Sequence, residues 1–250
     1  MNIAFLSSLN PADIHSWSGT LYYMYQELSK RHHVKWIGGN LYTKMKAYHC
    51  QLYKDEKLFS AEEYAKEFGA VISIELQSAY YDVIICRDYF YLAYLTTEIP
   101  IIYIGDTTFH LFNDYLGFID KDVINRYDEL ERLAIARATK ICYPTPWAKK
   151  SAIEYYGKNT CDVDVIEFGA NILENHLNVQ KKDTNSCNLL FVGTNWKMKG
   201  GDKVLDVYHK LKESNLNCKL TIIGSTPDYA IDDPEIKMYP TLDKGLKEDR

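Results

Sequence analysis

The chain has 250 residues, 46% of them hydrophobic and 25% charged. That composition gives a folded globular protein of one large or two modest domains and excludes a disordered, fibrous or disulfide-stapled miniature chain. Lys and Arg total 29 against 34 Asp and Glu, a formal charge of −5, so no basic face is offered to a nucleic acid.

From the amino terminus, the run Met1–Ser8 lacks the basic start and the length of a signal peptide. No stretch approaches the roughly 18 apolar residues of a membrane span, which predicts a cytoplasmic protein. Short apolar runs of strand length then recur at Ile3–Ser7, Val34–Ile37, Val83–Cys86, Ile101–Ile104, Lys140–Tyr143, Val163–Ile166, Leu189–Gly193 and Leu220–Gly224. They are continuous rather than alternating, as in parallel strands covered on both faces. Helical periodicity fills the intervals. From Ala61 to Ala79 the apolar positions are Tyr64, Ala65, Phe68, Val71, Ile72 and Leu76; from Val123 to Ala138 the pattern is Tyr127, Leu130, Leu133, Ala134 and Arg137 beside a charged face. Strand and helix alternate from end to end, so the predicted class is α/β. A polar, aperiodic stretch predicts a linker over 173–186, between a first domain at 1–172 and a second at 187–250 that opens with strand, helix, strand. The excess acid lies wholly before the second domain. The cysteines stand mostly in apolar runs without a Cys-x-x-Cys pair and read as free thiols of a reducing compartment.

Ligands of open α/β sheets bind beyond the carboxyl ends of the strands, so those loops carry the candidate chemistry. After the first strand, Gly19 either lets the backbone approach a ligand at a helix amino terminus or is an ordinary cap. Arg87 and Asp88 follow the third run. Asp106 and Thr107 cap a short helix or, through Asp106, orient a sugar hydroxyl; His110 can supply a hydrogen bond or a proton. The densest signal spans 189–211. A buried strand ends at Gly193, the loop carries Lys197 and Lys199, and Gly200 and Gly201 open a helix with an apolar face of Val204, Leu205, Tyr208 and Leu211. Backbone N–H groups, a helix positive end and an ammonium group thereby converge where a diphosphate can be held; the plainer alternative is a surface turn. Neither a dinucleotide fingerprint nor a P-loop is present. Gly224 ends the next strand and can likewise approach a nucleotide.

Taken in order, the segments Ser16–Thr20, Glu129–Ala148, Ile166–Asn171, Phe191–Gly201 and Leu220–Pro227 resemble family-four retaining glycosyltransferases of the two-Rossmann-domain, or GT-B, type, across nearly the whole chain. The resemblance implies a Rossmann-like amino-terminal domain with a parallel sheet on the acceptor side, and the incomplete beginning of a second Rossmann-like domain for a nucleotide-sugar donor. It implies catalytic roles for Lys199 at the diphosphate and for Asp106 and His110 at the acceptor, with Gly19, Gly193, Thr194, Lys197, Gly200 and Gly224 as further binding positions. It implies no metal and no cofactor beyond the donor. The acceptor would be a glycan or lipid-linked sugar of cell-surface polysaccharide synthesis, with room for peripheral contact at the inner membrane. The family's arginine after the strand-ending glycine is replaced by Thr194 and Asn195, leaving charge compensation to Lys199 with Lys197. Its paired glutamates are missing from Gly224 onward, so the expectation is a truncated enzyme short by on the order of a hundred residues. The alternatives are a nucleotide-sugar epimerase or phosphorylase-like enzyme of the same architecture, and a non-catalytic sugar-nucleotide-binding or scaffold protein.

Overall fold

The structure is a computed structural model and describes residues 1–39, 41, 61–116, 121–171, 186–239 and 242. The chain divides into two compact units, Met1–Asn171 and Ile172–Arg250. In the first, the strands are β1 (Asn2–Leu6), β2 (His33–Ile37), β3 (Val83–Cys86), β4 (Ile101–Ile104), β5 (Lys140–Tyr143) and β6 (Val163–Val165). Between them run helices α1 (Thr20–Ser29), α2 (Ala61–Leu76), α3 (Tyr89–Leu92), α4 (Phe109–Leu116), α5 (Lys121–Arg137) and α6 (Pro146–Glu154). The sheet is wholly parallel in the order β2-β1-β3-β4-β5-β6.

Side chains alternate across a strand, and β1 shows how this sheet uses both faces. Ile3 and Phe5 pack with Val83, Ile85 and Leu21, against which Met24, Tyr25 and Leu28 of α1 also lie. Ala4 and Leu6 face the other way, into a cluster holding Tyr64, Phe68, Ile72 and Leu76 of α2, Ala134 and Ile135 of α5 and Ala138 just after it. Each fully buried Ile, Leu or Phe contributes about 1.5–3 kcal/mol of transfer free energy. The continuous apolar spelling of β3, with all four residues buried, follows from this double cover.

The second unit contains β7 (Cys187–Val192), α7 (Gly201–Glu213), β8 (Cys218–Ile223) and β9 (Ile236–Tyr239), with the parallel order β7-β8-β9. Strand β9 was not among the runs expected from sequence: its spelling, Ile-Lys-Met-Tyr, is short and interrupted by a lysine. The expectation that β7 is buried also fails in part. Phe191 packs with Trp196, Leu205, Tyr208, Leu220 and Ile222, whereas Leu190 and Val192 are 64% and 65% exposed. The reason is that α7 packs on the face carrying Phe191, Leu220 and Ile222, whereas Leu190 and Val192 project from the other face. The stretch expected to be a linker, 173–186, lies outside the described residues except for Ser186.

Candidate functional site

Strand order in the first unit reverses between β1 and β3, and the crevice beyond their carboxyl ends is where such sheets take ligands. The loops there are tied together by polar contacts. Asp88 accepts from Ser8 N at 2.8 Å and from Ser8 Oγ at 3.0 Å, and pairs with Arg87 Nη1 at 2.9 Å. The Arg87 guanidinium lies over the Trp17 ring, 5.1 Å from its centroid. Trp17 in turn packs edge-on against Phe168 and donates from Nε1 to Asp106 Oδ2 at 3.4 Å.

Trp17, Ser18 and Gly19 occupy left-handed backbone in succession, with φ of 50°, 58° and 95°. Only glycine enters that region without cost, so Trp17 and Ser18 carry strain of about 1–2 kcal/mol each. Asn171 secures the turn, donating from Nδ2 to Ser18 O at 3.2 Å and to Thr20 Oγ1 at 3.0 Å. The strained turn thus aims an indole, rather than only a glycine backbone, at the crevice. Gly19 and Asp106 stand here together. His110 is the second residue of α4, with its ring stacked on Tyr155 at 3.6 Å and its backbone N–H donating to Tyr156 Oη.

Asp106 does not cap α4. Its carboxylate accepts from Thr107 N and from Trp17, while the first turn of α4 is served by Thr108 Oγ1, which accepts from Leu111 N, and by Glu131, which accepts from Phe109 N. Glu131 is 1% exposed and also accepts from Tyr103 Oη at 3.1 Å. Burial pushes its carboxyl up to about 7, against the bonds from Phe109, Tyr156 and Tyr103 that favour the anion. Sequence reasoning passed over this residue, naming its neighbours Leu130 and Leu133 on the same helix instead. Its spacing carried a signal, because Tyr127, Glu131, Ile135 and Ala138 fall at helical intervals along one stripe.

In the second unit, the two strand-ending glycines meet. A Cβ on Gly224 would lie 2.9 Å from Gly193 O, and Gly224 has φ of 97°, so both space and backbone conformation select glycine. The Lys199 stem rests on Gly193: a Cβ there would lie 3.1 Å from Lys199 Cβ and Cγ. Gly200, with φ of 80°, precedes α7 without any side-chain cap. Lys199 is exposed, as is Thr194, and Lys197 faces Asp228 at 4.0 Å with both side chains well exposed. Gly193, Lys199, Gly200 and Gly224 are therefore neighbours, whereas Lys197 points to a separate ion pair.

Three further residues shape this loop. Trp196 is buried against the start of α7, where a Cβ on Gly201 would come within 2.2 Å of its ring. Its Nε1 donates to Asp202 Oδ1 at 2.7 Å, and Tyr229 Oη donates to the same atom at 2.7 Å. The Tyr229 and Trp196 bonds hold the Asp202 carboxyl below its ordinary range. Trp196 fixes the loop that carries Lys199. In sequence it reads as one more loop aromatic.

Among the described residues no three His, Cys, Asp or Glu side chains converge as a metal site. One Asp-Val-Asp triplet, Asp162 to Asp164, stands at the amino-terminal end of β6, away from the carboxyl-end loops, and its Asp162 pairs with Lys140 at 3.3 Å. No helix among the described residues is long and apolar enough to cross a membrane.

No family model matches the chain. No curated protein matches it in sequence. Solved structures do match in fold. The glycotransferase of kitacinnamycin superposes with a TM-score of 0.50 at 9% identity, over 95% of this chain and 70% of that one. A protein of Listeria monocytogenes assigned as a UDP-N-acetylglucosamine 2-epimerase gives 0.51 at 13% identity, over 97% and 69%. At such identity the likeness establishes architecture. The chain is an α/β protein of the Rossmann-like GT-B type.

Proposed function

We propose that this chain is a retaining glycosyltransferase that moves a sugar from a nucleotide-sugar donor to a glycan or lipid-linked acceptor, in cell-surface polysaccharide synthesis. The observation that carries the reading is the second unit's loop cluster, in which Lys199 lies across Gly193 beside Gly224 at the uncapped start of α7. Two backbones close enough to exclude side chains, an ammonium group and first-turn N–H groups suit a diphosphate. Thr194 and Lys197 are assigned secondary contacts there.

Glycosyl transfer breaks the bond between the anomeric carbon and the diphosphate oxygen, so negative charge grows on the departing group while the sugar becomes oxocarbenium-like. A Lys199 ammonium at the diphosphate stabilises that transition state more than the ground state. On the first unit, the acceptor is assigned to the strained turn at Trp17–Gly19. The exposed Asp106 carboxylate orients its hydroxyl, and His110 supports the same loop as a second polar group. The reading invokes no metal or organic cofactor and assigns the reaction to the cytoplasm, at the inner membrane face when the acceptor is lipid-linked.

Calorimetric titration with a panel of nucleotide-sugars tests it directly. One donor should bind, and Lys199→Ala should weaken that binding by about 10–100-fold, the equivalent of one charge-assisted hydrogen bond. Lys197→Ala should weaken it clearly less. Absence of binding across the panel, or equal affinity in Lys199→Ala, would reject the donor site. Conversion of a UDP-sugar to its C2 epimer without acceptor would replace transfer by epimerisation.

A further inference from the structure

Cys187 opens β7 and Cys218 opens β8, and the two are direct register partners in the parallel pair. Register partners project to the same sheet face, here the one covered by α7: Cys218 is 2% exposed within that cluster and Cys187 packs against it half-buried. The sequence gives no hint of the pairing, because the two cysteines lie a whole strand-helix unit apart. Other described cysteines lack such a partner: Cys86 stands opposite Tyr103 and Cys142 opposite Asp164, while Cys161 is exposed outside any strand.

We propose that Cys187 and Cys218 form a vicinal dithiol that closes to an intramolecular disulfide under two-electron oxidation by a peroxide. Neighbouring strands lie about 4.8 Å apart, within the roughly 4.4–6.8 Å between disulfide-linked Cα atoms. Both residues begin their strands, where the backbone is least constrained by the ladder and the side chains can adjust to the disulfide geometry. Burial raises the Cys218 thiol most, the neighbouring Cys187 adds to the rise, and the Lys212 ammonium opposes it.

The half-buried Cys187 is accordingly the thiol that meets the oxidant. Its sulfur attacks the peroxide O–O bond as the thiol gives up its proton, and the departing hydroxide takes that proton, giving a sulfenic acid and one water. Cys218 then displaces hydroxide from that sulfur, the S–S bond forms, and its proton leaves with the hydroxide as a second water. The peroxide is reduced to two waters and two thiols are oxidised, so the step balances. The bond would pin the amino-terminal ends of β7 and β8, at the opposite end of the sheet from Gly193 and Gly224.

The test treats the folded full-length chain with hydrogen peroxide, quenches free thiols by alkylation and maps peptides without reduction. Circular dichroism verifies that the chain stays folded. The expected result is a crosslinked peptide pair carrying Cys187 and Cys218, lost on dithiothreitol. In Cys218→Ser, Cys187 should instead be trapped by a sulfenic-acid probe; in Cys187→Ser, Cys218 should stay unmodified. The proposal is overturned if both thiols remain free while exposed Cys161 is oxidised, if Cys187 links to another cysteine, or if the 187–218 link appears only in denaturant.

Discussion

Gly201 and Glu131 make opposite demands on the residue scale, one for space and one for charge. The Trp196 ring occupies the volume that a Gly201 side chain would need. Gly201→Ala must displace a buried indole, an overpacking cost of about 1–3 kcal/mol, and should red-shift tryptophan emission. Gly200→Ala meets nothing nearer than 4.0 Å and suffers only from its positive φ, so it should leave the emission unchanged; matching spectra in the two variants would show that the ring does not wedge the loop. Glu131 sets a pH dependence whose sign follows from its direction of shift. Its carboxyl rises from 4.5 to about 7 on folding, so between those values the native state binds more protons than the unfolded chain. Its contribution to stability is therefore best at low pH, falls as pH rises through that window, and is fully lost above it, a change on the order of 3 kcal/mol. Glu131→Gln keeps an acceptor for Phe109 N–H and a donor toward Tyr103 Oη without the charge. In urea unfolding, variant and parent should be similar near pH 5, and the variant should gain steadily toward about pH 8. A constant difference across that range would mean that Glu131 is not the buried titrating group.

At the scale of elements, α6 shows how local chemistry sets a boundary. Thr145 is extended, its Oγ1 accepts from Ala148 N at 3.2 Å, and Pro146 fills the first helical position, where no N–H is needed. Thr145→Ala should cost about 0.5–2 kcal/mol of unfolding free energy and Thr145→Ser much less; equal losses in both would move the effect from the cap to the methyl group. Legible in the sequence were β3, β4 and β5, whose apolar runs coincide with the strands residue for residue. What misled was burial that depends on partners remote in sequence. The spelling Leu-Leu-Phe-Val of β7 looks doubly covered, yet Leu190 and Val192 are exposed because α7 takes one side only. Glu131 looks solvated until Tyr103 and Phe109 are brought to it. The candidate site was legible in the same uneven way. Gly193, Lys199 and Gly224 were marked by their positions after strands, whereas Trp196 acquires its role only when Gly201 is folded beneath it. Arg87 was visible in a flagged loop, but its stacking on Trp17 depends on the left-handed turn, which a Trp-Ser pair does not announce.

On the scale of the whole molecule, the two units differ in how completely their sheets are covered, and this predicts how they open. In the first, β3 lies between β1 and β4, every side chain is buried, and apolar clusters close over both faces. In the second, β8 is also central, between β7 and β9, but Leu190 and Val192 beside it are largely exposed. A central strand exchanges its amide hydrogens through opening, and the opening free energy scales with the apolar area that must be uncovered. The amides of β8 should therefore exchange faster than those of β3 by at least about tenfold, since 1.4 kcal/mol is little more than half of one buried Leu. Hydrogen–deuterium exchange with peptide-level mass spectrometry separates the two strands cleanly, as they lie in different proteolytic fragments. In denaturant the same difference should appear as two transitions, with β8 lost first, and a polypeptide of residues 1–171 should reproduce the later one. Equal protection of β3 and β8 together with a single transition would mean that the units unfold as one cooperative body. The exposure of Leu190 and Val192 would then carry no measurable energetic penalty.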